Sequence, residues 1–238
     1  MRSLLLIGSA LMAICCGLVA PATAGDKEQC VYTYVAEAAA RDELIKACTR
    51  LIESKNFNGD ELALLHNARG FSYYVASQYD HAIADANEVI GKIAPLRPQA
   101  KLSDGNLHRA HYIRGESSFH KKDYDRTIAD QTVVIQIRRS ASALQSRGQA
   151  HYEKGEFDRA IDDFSDVIRE NPKDVLALAY RAQSFEKKGE WAKALADARQ
   201  ASELEPNGYS QMSEQTIERV QQKLAATGTG VPAPRLRP

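Results

Sequence analysis

The sequence carries no excess of either charge, because Lys plus Arg and Asp plus Glu are both 31. That balance argues against a general nucleic-acid binder, which shows a basic excess. There is one tryptophan, with eight prolines and fourteen glycines in 238 residues. With 44% hydrophobic and 26% charged residues, this is globular composition, and wholesale disorder is excluded. The length allows one or two compact domains or one extended repeat array. No Gly-rich phosphate loop, Gly-x-Ser-x-Gly or His-Glu-x-x-His occurs, so the common catalytic signatures are missing.

Only one long apolar run exists, and it stands at the N-terminus. Arg2 precedes the stretch from Leu4 to Val19, and Ala22-Thr23-Ala24 is a small-x-small cleavage signal. Residues 1–24 therefore read as a secretory signal peptide cut after Ala24, with an uncleaved anchor as the alternative. Cys15 and Cys16 follow Ile14 rather than the small residue that lipid modification prefers. The expected location is the periplasm or the exterior, with no membrane span after cleavage. Two cysteines then remain, Cys30 and Cys48. An isolated pair outside the cytosol reads as one disulfide, and two free buried thiols are the alternative. A bridge requires the chain to reverse between them, because 18 residues of helix would hold them about 27 Å apart. The expected reversal lies around Ala40-Arg41-Asp42, with Asp42 opening the second helix.

The middle of the chain repeats. Arg69-Gly70, Arg114-Gly115, Arg147-Gly148 and Arg181-Ala182 follow one another at steps of 45, 33 and 34 residues. Each is followed by an aromatic and a small-apolar pair, as in Phe157-Asp158-Arg159-Ala160-Ile161. Small residues at 70, 115, 148 and 182, and Ala82, Ala160 and Ala194, let two antiparallel helices approach closely. Asp80, Asp125 and Asp158 stand near the starts of second helices, where a negative charge suits the dipole. Pro172 and Pro206 stop two of those helices.

These positions resemble the tetratricopeptide repeat family, whose 34-residue unit is a helix-turn-helix. Leu144, Arg147-Gly148, His151, Ala160, Phe164 and Pro172 match its spacing, as do Leu178, Arg181-Ala182, Phe185, Ala194, Ala198 and Pro206. The copy with His111, Arg114-Gly115, Ser118, Thr127 and Gln131 is the weakest. The implied fold is all-α: a solenoid, wound as a right-handed superhelix, of antiparallel helix pairs. It would comprise a disulfide-linked leading hairpin over 25–62 and an array over 63–207. The four repeats are 63–95, 108–140, 141–174 and 175–207, with a breaker-rich insert at 95–105 read as a loop. A capping helix over 208–226 and a disordered tail over 227–238 complete it. In the leading hairpin, Cys48 aligns with Ala86 and Phe164.

The resemblance implies a binding surface, because first helices line the concave face of such arrays. The fifth, ninth and twelfth positions of each repeat face the groove. They are Asn67, Phe71 and Tyr74; Tyr112, Glu116 and Phe119; Gln145, Gln149 and Tyr152; and Ala179, Gln183 and Glu186. Tyr74, Phe119 and Tyr152 have packing between repeats as their alternative role. Chaperone-binding members clamp a C-terminal carboxylate with Lys and Arg at such positions, and this sequence lacks that pattern. The expected function is non-catalytic protein–protein interaction, as a periplasmic adaptor, scaffold or assembly factor that binds an extended peptide. No cofactor and no nucleic acid are expected. One alternative is a self-associating envelope component. Another is a metal or enzyme site on His108 and His111, three residues apart, although His111 and His151 hold packing positions of the repeat. Asp162-Asp163 reads as a solvated face.

Overall fold

The computed structural model describes residues 25–27, 30, 38–96, 103–204 and 210–226. From Ala38 on, ten α-helices follow one another: α1 Ala38–Glu53, α2 Gly59–Val75, α3 Tyr79–Asn87, α4 Asp104–His120, α5 Tyr124–Ile137, α6 Ala141–Glu153, α7 Phe157–Glu170, α8 Val175–Lys188, α9 Trp191–Leu204 and α10 Ser210–Ala226. Their ends follow from local chemistry. Ser103, Asp123 and Asp174 cap α4, α5 and α8 by accepting the backbone N–H of Asn106, Arg126 and Ala177. Gly189 ends α8 in the left-handed region at φ 77°, where a side chain would be strained. Asp80, Asp125 and Asp158 lie in the first turns of α3, α5 and α7.

Helices pair as neighbours along the chain, α2 with α3, α4 with α5, α6 with α7, and α8 with α9, and each pair packs on the next. The core is consequently spread along the array as successive clusters. A typical one joins Leu144, Ala160, Phe164, Val167 and Ala177. Close approach within a pair depends on small residues. A Cβ on Gly148 would stand 3.0 Å from the Phe164 ring and 3.2 Å from the Asp163 Cβ. Ala82, Ala160 and Ala194 are fully enclosed. At the far end, α10 lays Val220, Leu224 and Ile217 against Phe185, Leu195 and Trp191, covering the last repeat. No helix among the described residues is long and apolar enough to cross a membrane.

Three boundaries differ from the sequence expectation. First, α2 begins at Gly59 and α4 at Asp104, one turn before their repeats, so the line drawn at 62/63 cuts through a helix. Second, the 95–105 insert is not all loop. After α3 the chain continues as a π-helix over Glu88–Ile93 and a 3-10 turn over Ala94–Leu96. On the other side, Asp60 accepts the Ser103 N–H at 2.8 Å and the Asn106 side-chain amide at 2.7 Å, fastening the start of α4 to α2. Only 97–102 of the insert lies outside the described residues. Third, α1 is helical from Ala38 to Glu53 and runs straight through Ala40-Arg41-Asp42, so the chain does not reverse there; residues 31–37 lie outside the described residues. Ala38, Ala39 and Ala40, strong helix formers, make the first turn of α1.

The Cys30 and Cys48 sulfurs stand at bonding distance, with Cα atoms 5.1 Å apart. Both are buried with Leu44, Ala47, Leu51 and Leu65. Residues 1–24, Pro206 and the 227–238 tail lie outside the described residues.

Candidate functional site

The stacked helix pairs are held together by a device that recurs once per repeat. Arg69, Arg114, Arg147 and Arg181 each face a buried aspartate sixteen residues later: Asp85, Asp130, Asp163 and Asp197. Each contact is bidentate, with Nε on one carboxylate oxygen and Nη2 on the other. For Arg147 and Asp163 the distances are 2.9 and 2.6 Å. The third arm of each guanidinium reaches back to the preceding helix pair. Arg69 Nη1 donates to Thr49, Arg114 to Asn87, Arg147 to Thr132 and Arg181 to Ser165, all between 2.8 and 3.0 Å. One planar group thus fixes the angle within a pair and the stacking between pairs, which only a guanidinium fork can do. Thr49 on α1 fills the same place as Asn87, so α1 stacks as the second helix of a leading unit. Asp163, expected on a solvated face, is 6% exposed and belongs to this set. Its neighbour Asp162 does face solvent.

A second ladder runs along the exposed edge. Lys121, Lys154 and Lys188 donate to Asp80, Asp125 and Asp158 of the preceding repeat. Those aspartates, expected to serve the helix dipole, also link the repeats, although exposed pairs of this kind contribute little.

Of the expected groove residues, Asn67 and Ala179 are buried, Ala179 in a core cluster with Leu178 and Ala201, and the others are half-buried. Phe71, Tyr112, Glu116, Gln149 and Gln183 are half-buried on first helices. Gln145 is also half-buried, and its amide donates to Asp174 at 2.9 Å, so it bridges to the next repeat. Asn67 departs from expectation. It is fully buried and donates to the Asn106 carbonyl at 3.0 Å, so it joins repeats rather than lining a surface. The cause is the extra turn of α4, which covers it. Tyr74, Phe119 and Tyr152 are half-buried and turn toward the aromatic five residues on. The ring centroids are 6.3 Å apart for Tyr74 and Tyr79, 5.7 Å for Phe119 and Tyr124, and 5.7 Å for Tyr152 and Phe157. Burial, reinforced by Glu116 and Tyr112, pushes the Tyr74 phenol up to about 12. Glu186 is engaged by Arg219 of α10 through two 2.7 Å contacts, which tie the capping helix to the last repeat.

The histidines serve the fork in the first two repeats. His66 Nδ1 is 2.8 Å from Asp85 and His111 Nδ1 is 2.7 Å from Asp130, where later repeats place Leu144 and Leu178. Burial works against the charge on Asp85 and Asp130, yet the His and Arg hydrogen bonds hold both carboxyls below their ordinary value. His151 Nδ1 lies 2.7 Å from Glu156. His108 is half-buried, and burial lowers its pKa. Among the described residues no group of three His, Cys, Asp or Glu side chains is placed to hold a metal ion. The arginine–aspartate spacing of sixteen was the one signal in the sequence that could have revealed the fork.

Comparison with known proteins follows this geometry. Residues 146–208 match the model of the tetratricopeptide repeat family. No curated protein matches the sequence. Among solved structures, MamA is 19% identical, with 76% of this chain and 94% of that one covered and a TM-score of 0.61. YrrB, described as a TPR protein with an unusual peptide-binding site, is 15% identical, covers 76% and 84%, and has a TM-score of 0.63. The C-terminal part of a TPR repeat-containing protein from Cytophaga hutchinsonii is 21% identical, with 79% and 67% covered and a TM-score of 0.61. At these identities the likeness is one of fold.

Proposed function

We propose that this tetratricopeptide-repeat protein is a non-catalytic adaptor or assembly factor that binds an extended segment of a partner protein along its concave face. The observation that carries this is the row Phe71, Tyr112, Glu116, Gln149 and Gln183. These side chains remain half-buried on first helices, while the regularly spaced Arg and Asp of each repeat are taken up in the forks. Half-exposed aromatics supply apolar anchoring, and the amides supply hydrogen bonds to a peptide backbone. The peptide-binding site named for YrrB is consistent with the same use of the fold. A photo-crosslinking residue at Phe71 should capture a protein partner in the native cell envelope, and the same residue at Arg159, on the outer face, should not. Equal capture at both places would sink the concave-face assignment.

The proposed workplace is the periplasm or cell exterior, supported by the export signal in residues 1–24 and by the Cys30–Cys48 geometry. One intact-mass experiment tests both. The exported protein should begin at Gly25. With and without reduction before alkylation, its mass should differ by two alkyl groups. Retention of residues 1–24 contradicts cleavage, and two alkylations without reduction contradict the bridge.

A further inference from the structure

Glu116 is the groove's one acid at a ninth position, and its surroundings are unusual. It sits half-buried on α4, one turn after Tyr112. Behind it, Gln131 of α5 is fully buried and donates its amide to Glu116 Oε1 at 2.6 Å. Gln131 stands where the third repeat has Phe164, so a polar side chain has been placed in a helix-pair core and aimed at the carboxylate. Ser146 of the next repeat also serves Glu116. Both donors are neutral. Among the described residues no Lys, Arg or His forms an ion pair with Glu116, whereas Glu186, the acid further along the face, already has Arg219.

A carboxylate removed from water and held only by neutral donors remains costly unless a cation meets it. Burial accordingly raises the Glu116 pKa, with Ser146 and Gln131 opposing it only in part. The groove-side neighbours suit a cation with a long apolar stem. Tyr112 is half-buried one turn before Glu116, and Tyr74 is close enough to feel both Glu116 and Tyr112. Such rings attract ammonium or guanidinium groups and cover the methylenes that carry them.

We propose that the groove across the first two repeats seats a Lys or Arg side chain of the partner segment, with its charge on Glu116 and its stem against Tyr112. This rests on the concave-face assignment above. It gives the partner a defined chemistry: an extended peptide with a basic residue beside an apolar one. Charge complementarity favours this occupant over an acidic C-terminus, which Glu116 would repel.

The test is selection of a random decapeptide display library on the immobilised full chain, followed by affinity measurement of the enriched peptides. Enriched sequences should share one Lys or Arg at a fixed offset from an apolar residue. Replacing that residue by norleucine should weaken binding at least tenfold on the native chain and less than twofold on Glu116→Gln. That variant keeps an acceptor for Gln131 and should retain full helicity. If the enriched peptides show no basic preference, the proposal is overturned by the native chain alone, whether or not the variant folds. An equal norleucine effect on both chains also overturns it. Should such peptides still lose affinity on a Phe71→Ala/Tyr112→Ala chain, the concave-face assignment survives without the basic specificity. Peptides that bind the double variant as well as the native chain, or no enrichment at all, count against both.

Discussion

Gly148→Leu is expected to destabilise its repeat by about 3 kcal/mol, the upper end for forcing bulk into a packed core. Even a single added carbon would meet the Phe164 ring at 3.0 Å and the Asp163 Cβ at 3.2 Å. Phe164 is fully enclosed and cannot swing aside. The helices α6 and α7 must therefore separate, which also strains the Arg147–Asp163 fork across the same contact. Because repeats in such arrays are coupled mainly to their neighbours, the damage should concentrate in 141–170. Amide hydrogen exchange should show lost protection there first. The matched control is Gly91→Ala, whose new methyl meets nothing within 4 Å. It should be neutral or stabilising by up to about 1 kcal/mol. Comparable losses from both substitutions would mean that the close helix contact is not what glycine serves here.

Asp130→Ala should cost about 3 kcal/mol near neutral pH, because it leaves the Arg114 guanidinium and His111 inside the fold without their carboxylate. The loss should depend on pH with a definite sign. The Asp130 carboxyl is held below its ordinary value in the folded state, although burial opposes this, by hydrogen bonds from Arg114 and His111. Its contribution is therefore complete above the unfolded carboxyl value of about 4 and disappears as pH falls through the lower folded value. The stability gap between native chain and variant, read from urea midpoints, should be largest near pH 7 and close progressively below pH 4. A gap as wide at pH 3 as at pH 7 would show that the cost comes from lost packing rather than from the charged fork.

The parts of this architecture that depend on residue size and period could be read from the sequence. The small residues at 70, 115, 148 and 182 point to close helix pairs, and the capping helix expected over 208–226 is the one whose Ile217, Val220 and Leu224 join the last cluster. What could not be read depends on which faces meet. Asp163 reads as a solvent residue because it stands beside Asp162 in an acidic pair. Only the packing of α6 on α7 turns it toward Arg147. Asn67 kept its place in the repeat but lost its exposure, because the extra turn at the start of α4 covers it. That turn arises from residues of the 95–105 insert whose prolines and glycine suggested a loop. Gln131 read as a poor match to the repeat, whereas in space it supports Glu116.

Affinity for the captured partner segment reads out whether the concave face carries the binding activity. It should be compared across three chains: native, Phe71→Ala/Tyr112→Ala, and Arg126→Glu/Arg159→Glu. Phe71 and Tyr112 are half-buried rings on first helices, whereas Arg126 and Arg159 are exposed on second helices and bonded only to Asp123 and Glu156 three residues away. Truncating an aromatic anchor commonly costs about 2 kcal/mol or more. The double aromatic variant should therefore bind more than tenfold more weakly with unchanged helicity, and the arginine variant should bind within about twofold of native. Normal binding by a folded Phe71→Ala/Tyr112→Ala chain, with binding abolished in the Arg126→Glu/Arg159→Glu chain, would contradict the concave-face assignment and move the partner to the outer face.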